Sequence, residues 1–302
     1  MLVGLALAVG LVGATTGCSA GAAGGDGPSV VVTTNVLGDV VEQLVGDQAR
    51  VTVLMPPDAD PHSFEISPRD AAGMRDADLL VSNGLGLEEG LQHHVDAAVA
   101  EGVPSVEAGD LVETLAYTTG DAEGEVDPHW WTDTGRTLDL VDGLEDRLAE
   151  VDGIDTDQLA TTTAAYRDEL DALDAELTAS FAAIPAERRA LVTNHHVFGY
   201  LADRWDFDVV GAVVPGGTTL AAPSASDLAD LTSAIEEAGV PTIFADSSQP
   251  DRLVQVLADE ADVDVDVVAL YTESLTAPGG GAETYLEMVR ANERLIVEGL
   301  TG

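Results

Sequence analysis

The chain has 302 residues, more than one hydrophobic core comfortably fills, so two domains are expected. Hydrophobic residues make up 45% of it, enough for real cores, while 55 acidic residues against 12 basic ones leave a formal charge of -43. All twelve bases are arginine, and so acidic a surface argues against nucleic acid as a partner, because phosphate neutralisation needs a basic face.

Residues 1-17 (MLVGLALAVGLVGATTG) open with an apolar stretch too short for a spanning helix, which needs about 20 residues. It reads as the core of a secretory signal peptide, although no Lys or Arg precedes it. Cys18 follows in T-T-G-C-S-A-G and is the only cysteine, so disulfides and Cys-ligated zinc are excluded. The motif resembles a bacterial or archaeal lipobox, in which small residues precede a lipid-modified cysteine; the plain alternative is a free thiol. Two acyl chains at Cys18 would hold the protein stably on a membrane. Residues 18-28 then form a flexible tether.

The β-branched run 30-34 (VVVTT) predicts a buried strand, and helical periodicity follows from Val36 to Val45. A second strand, 51-55, is closed by Pro56 and Pro57. Ser67-Pro68-Arg69-Asp70 marks a helix start, with Ser as cap and Pro in the first position. A third strand, 78-82, ends at Asn83-Gly84, and 115-118 is a weaker strand signal. Strands alternating with helices predict a parallel α/β sheet over a first lobe, 29-156. Residues 157-182 contain no Gly or Pro, and Leu159, Tyr166, Leu170, Leu173, Leu177 and Phe181 recur at helical spacing. They predict one amphipathic helix of roughly 39 Å, stopped by Pro185, in a rigid linking segment 157-183. The second half, 184-302, repeats the pattern with strands at 190-193, 208-214, 242-245 and 265-270. A capping box opens a helix at Ser224, and a last helix spans about 282-299.

The six histidines are 62, 93, 94, 129, 195 and 196. His62 stands in D-A-D-P-H-S-F-E, His129 in D-P-H-W-W and His195 in T-N-H-H-V-F-G-Y, while Asp246 stands in I-F-A-D-S-S. His62, His195 and Asp246 follow the carboxyl ends of predicted strands, the edge where open parallel sheets bind ligands. Two candidates come from each half, so a cleft between halves can unite them. Three neutral imidazoles and a carboxylate would supply four N/O ligands to a tetrahedral Zn(II). Pro61 and Pro128 stiffen the two D-P-H turns. Asp60, Asp127 and Glu65 are candidate acceptors for the outer ring N–H groups, and Phe64, Trp130, Trp131, Phe198 and Tyr200 are candidates to dry the site. Taken singly, any of these histidines is equally well a hydrogen-bonded turn residue.

D-P-H-S-F-E-I-S-P-R-D, D-P-H-W-W-T-D, H-H-V-F-G-Y-L-A-D-R-W, I-F-A-D-S-S and P-G-G-G-A-E-T-Y-L-E-M-V-R-A-N resemble the zinc/manganese solute-binding proteins of ABC transporters, the ZnuA/TroA-like family. The likeness runs in order from about 30 to 300. It implies two α/β lobes, each a parallel sheet flanked by helices, joined by one long rigid helix, with a metal site in the interlobe cleft. It implies His62 and His129 as ligands from the first lobe, and His195 and Asp246 from the second. In that family the ligand stands before a variable pair and then F-G-Y, which selects His195 and leaves His196 as a solvent-facing ring or a spare ligand. His93 and His94 fall on a predicted helix face and read as surface residues. The loop 117-128 is short and acidic, without the His-rich insertion of many zinc members. Manganese-preferring members often carry Glu where this chain has His195, so the resemblance favours Zn(II) and keeps Mn(II) open.

The expected function is therefore a lipid-anchored protein on the extracytoplasmic face of the cell membrane. It would capture Zn(II) and deliver it to an ABC permease and its ATPase, most simply as a monomer. An enzyme is the rival class: a catalytic zinc keeps an open water position, which Asp246 would close, and no H-E-x-x-H or G-x-S-x-G is present. A metal-binding surface adhesin is a third reading. The acidity suits either a surface adapted to high salt or attraction of cations toward the site.

Overall fold

Val30, Val31 and Val32 are buried on both faces, as a strand in the middle of a parallel sheet must be. They lie in β1 (Ser29–Val32), which pairs in parallel with β2 (Arg50–Val53) on one side and β3 (Leu79–Ser82) on the other. β4 (Ser105–Glu107) completes a sheet of order β2-β1-β3-β4. The computed structural model describes residues 27–302 apart from Pro215, Asp262, Asp264 and the side chain of Glu260. The expected signal peptide, Cys18 and all but the last two tether residues lie outside the described residues. Of those two, Pro28 is already bonded to the sheet, its carbonyl accepting from Arg50 N at 2.8 Å.

The first sheet carries α1 (Asn35–Val45), α2 (Pro68–Arg75), α3 (Gln92–Ala100) and α4 (Thr134–Ala149). α2 starts where the Ser-Pro signal put it: Ser67 accepts from Asp70 N, and the Asp70 carboxylate takes the Ser67 N–H in return. α5 (Thr156–Ala182) is the long helix, capped by Asp155 and about 40 Å in length. Its buried stripe includes Leu159, Tyr166, Leu170, Leu173, Leu177 and Phe181, the positions expected from their spacing. The second sheet is built from β5 (Ala190–Thr193), β6 (Asp208–Ala212), β7 (Thr242–Asp246) and β8 (Asp266–Leu270), in the order β6-β5-β7-β8 and again all parallel. Its helices are α6 (Gly199–Trp205), α7 (Ala225–Ala238), α8 (Arg252–Glu260) and α9 (Tyr285–Thr301). α7 opens with the Ser224/Asp227 capping box, and Thr284 caps α9.

The two sheets thus share one topology, with β1/β3 and β5/β7 flanking the points where successive connections leave in opposite directions. Ligands bind at the carboxyl ends of strands at such points. One hydrophobic core runs along α5 and takes in both lobes, from Leu79 and Val81 to Leu191 and Phe244. Smaller cores around Leu80 and Met74, and around Val192 and Ile243, fill the opposite face of each sheet.

Polar contacts fasten the halves as well. Asp39 accepts from Tyr285 N at 2.8 Å, and the Tyr285 hydroxyl donates to Trp131 O at 2.7 Å. Asn35 donates to Ser274 Oγ at 2.9 Å and accepts from Leu275 N at 2.9 Å. Asp58 N donates to Leu275 O at 3.0 Å, and Trp131 Nε1 donates to Thr272 O at 2.8 Å. Arg204 of α6 reaches both Asp133, the cap of α4, and Asp174 of α5.

Several elements differ from expectation. The weak strand at 115-118 is a single antiparallel bridge, Ala116 with Val126, closing a short hairpin. β4, α4, α6 and α8 had no counterpart among the predicted elements; β4 is three residues, too short for a periodic signal. Among the described residues no helix is long and apolar enough to cross a membrane.

Candidate metal centre

The two D-P-H turns are built alike. Asp60 Oδ1 accepts from His62 N at 3.0 Å, and Asp127 Oδ1 accepts from His129 N at 2.9 Å. Each carboxylate thus closes an Asx-type turn across an intervening proline, and that turn presents the imidazole. His195 leaves the end of β5, where Thr193 Oγ1 donates to His195 O at 2.6 Å. All three rings are buried, and their Nε2 atoms converge on a single carboxylate oxygen. Glu273 Oε1 lies 3.0 Å from His62, 3.1 Å from His129 and 3.2 Å from His195. The His62 and His129 Nε2 atoms are 3.4 Å apart. Among the described residues these four form the one group able to hold a metal ion, with donor atoms all within 4.8 Å of one another.

The fourth member corrects the sequence reading. Asp246 is buried at the end of β7, but its carboxylate accepts from Thr272 Oγ1 and Ser248 N. It therefore faces the neighbouring loop and fixes the residue before Glu273. Burial, then the like charge of Glu273, raises the Asp246 pKa. Glu273 follows β8 in Y-T-E-S, so the strand-end rule that singled out Asp246 applied one strand later too.

Tetrahedral ligands about 2.1 Å from an ion sit about 3.4 Å apart, close to the 3.0–3.4 Å contacts seen here. The donor set fits a four-coordinate ion in a second way. His195 Nε2, although 3.2 Å from Glu273 Oε1, and Glu273 Oε2 are buried without a hydrogen-bond partner among the described residues. Burial opposes charge on Glu273, yet the surrounding imidazoles hold its carboxyl well below the usual range, so it is ionised. Burial likewise opposes charge on His129, but Asp127 and Glu273 outweigh it and raise the ring to about 9.

The surrounding candidates divide. Asp127 Oδ1 takes the His129 Nδ1 proton at 2.8 Å, which leaves Nε2 free to ligate. Asp60 makes no such bond; its second oxygen accepts from Ser63 and, at 2.7 Å, from Thr219. Glu65 is exposed and joins no ring. Tyr200 supports the site at one remove, donating to Asp127 O at 2.7 Å. Trp130 and Phe198 are buried in the common core, but Trp131 is the ring that lies edge-on to His129, 5.3 Å between centroids. Tyr117, from the acidic loop, places its hydroxyl 3.3 Å from His129 Nδ1. His196 is not solvent-facing: it is 8% exposed and lines a cavity of about 330 Å³ beside Tyr117, Asp127 and Gly199. His93 and His94 stack on each other on α3, outside the group.

Residues 30–299 match the family model described as zinc-uptake complex component A, periplasmic. The manganese-binding lipoprotein MntA of Halalkalibacterium halodurans is 28% identical over 277 residues, covering 92% of this chain and 90% of its own. The zinc-binding protein TroA of Treponema pallidum is 30% identical over 289 residues, covering 92% of this chain and 91% of its own. The solved structure of the periplasmic zinc-binding protein TroA from Treponema pallidum superposes with a TM-score of 0.84 at 29% identity, over 91% of this chain and 99% of that one.

Proposed function

The chain belongs to the family of the periplasmic zinc-uptake complex component A, and on that footing we propose that it is the extracytoplasmic binding protein of an ABC-type metal importer. It holds one Zn(II) between its lobes, 29-156 and 184-302, and delivers the ion to a membrane permease driven by its ATPase. A lipid on Cys18 keeps it, as a monomer, at the outer face of the membrane. The observation that carries this reading is the convergence of the His62, His129 and His195 Nε2 atoms on Glu273 Oε1 within 3.2 Å, all of it buried. Four protein ligands complete the sphere of a tetrahedral ion. That supports holding and handing over a metal rather than activating water on it, which needs an open position.

Three imidazoles favour Zn(II) over Mn(II) by ligand softness and by the Irving–Williams order. Manganese has one observation of its own. Glu273 Oε2 is buried and unpaired, so the carboxylate can close on an ion with both oxygens and raise the coordination number, which suits a harder metal. The name of the MntA relative points the same way. Metal analysis with competitive Zn(II)/Mn(II) titration of the wild type and His195→Ala tests both. One equivalent of Zn(II), outcompeting Mn(II) and lost in the variant, is expected. Stoichiometry near zero after zinc supplementation overturns the site, and preferential Mn(II) retention overturns the choice of metal.

A further inference from the structure

Residues 216–222 leave the end of β6 and reach across the cleft to the first lobe. Two hydrogen bonds among the described residues join them to it, and each belongs to the support of a residue read above as a metal ligand. Thr219 Oγ1 donates to Asp60 Oδ2 at 2.7 Å, and Asp60 closes the turn that presents His62. Gly217 O accepts from the Tyr117 hydroxyl at 3.3 Å, and that hydroxyl is itself 3.3 Å from His129 Nδ1. The approach at Gly217 requires glycine, since a Cβ there would lie 2.6 Å from the Tyr117 ring.

Tyr117 is not carried along by the strap. Its N–H donates to Glu125 O and its carbonyl accepts from Gly124 N, both at 2.9 Å, so the 115–127 hairpin holds it in the first lobe. The bonds therefore run in one direction. The His129 Nδ1–H is shared between Asp127 Oδ1 and the Tyr117 oxygen, and the Tyr117 O–H is given to the strap carbonyl. A metal bond at His129 Nε2 fixes the ring in place, and with it the Nδ1 edge on which the Tyr117 hydroxyl rests. A hydroxyl held in place keeps its bond to the Gly217 carbonyl.

We infer that Tyr117 is a positioning residue that couples metal occupancy at His129 to closure of the 216–222 strap over the cleft. The inference rests on His129 being a metal ligand, as in the reading above. Coupling of this kind is reciprocal: a closed strap must also slow loss of the ion.

Hydrogen–deuterium exchange of the strap, in purified full-length protein with and without Zn(II), tests it. Loading should slow exchange of the strap roughly fivefold or more, the scale of one hydrogen bond kept from opening. Tyr117→Phe, which keeps the ring and removes the hydroxyl, should abolish that metal-dependent difference and release Zn(II) to excess chelator roughly fivefold faster. Thr219→Val should speed strap exchange in both states while keeping the difference, because it breaks the other contact only. The inference is overturned if the Phe variant keeps the wild-type difference, or if the Val variant loses it. Failure to bind zinc at all removes the functional reading first; zinc bound without any slowing of the strap removes this inference alone.

Discussion

Glu273→Gln separates the candidate ligand that the structure brings to the centre from the one the sequence suggested. The substitution keeps the side-chain volume and removes the one negative charge among the four converging groups. Glu273 Oε1 lies within 3.2 Å of all three imidazole nitrogens and is fully buried. Breaking a buried charge pair by removing one member costs about 3–5 kcal/mol. The amide oxygen can still face the ion, so the lower end applies, and about 3 kcal/mol is about a 150-fold loss of Zn(II) affinity. Asp246→Asn is the matched control. Its carboxylate accepts from Thr272 and Ser248, so it acts on the centre from behind, by placing the Glu273 loop and through its charge. Loss of such an outer partner costs about tenfold to a hundredfold, and the asparagine side chain keeps one acceptor, so about tenfold is expected. Competition against a chelator of known affinity at neutral pH measures both. An Asp246→Asn variant that loses as much affinity as Glu273→Gln, or more, refutes the assignment.

Asp127→Asn should weaken Zn(II) binding by about tenfold to a hundredfold, because His129 Nδ1 loses its charged acceptor; the same competition assay reads it. In the metal-free protein His129 is raised to about 9. A histidine raised in the fold contributes stability that is fully present below about pH 6.5 and lost as pH rises through the folded value. The melting temperature of the metal-free protein should therefore carry a falling contribution from about pH 6.5 to 9 that His129→Gln removes. Zn(II) affinity should rise over the same window as the ion displaces that proton; an affinity that falls there contradicts the assignment. Leu170→Ala, at a fully buried position of α5, should cost about 2–5 kcal/mol in chemical denaturation.

Most of the fold was legible because parallel strands and amphipathic helices write themselves in hydrophobic period. Strand 190-193 and the long helix fall within a residue of where the pattern put them. His62 and His129 were legible for a local reason: Asp-Pro-His folds its own turn, and both copies use the aspartate alike. The fourth member of the cluster was not, because strand-end position is shared by Asp246 and Glu273. Which carboxylate turns inward depends on Thr272, 26 residues from Asp246 in the chain, holding one of them aside. His196 was misjudged because a loop carries no period from which to tell the buried side of a His-His pair. The cross-cleft strap gave no signal, since two of its contacts are made 100 and 159 residues away.

The fastening of residues 272–277 changes how the four converging groups should be counted. By chain order Glu273 belongs with His195. By its neighbours' bonds it leans to the other two, since Thr272 O, Ser274 and Leu275 are held by Trp131, Asn35 and Asp58 of the first lobe, against the one bond from Thr272 Oγ1 to Asp246 of the second. A motion that parts the sheets and spares those bonds leaves His62, His129 and Glu273 together as a three-pronged cup. His195 departs alone, so one imidazole serves as the stopper, and uncorking the cup breaks a single metal bond.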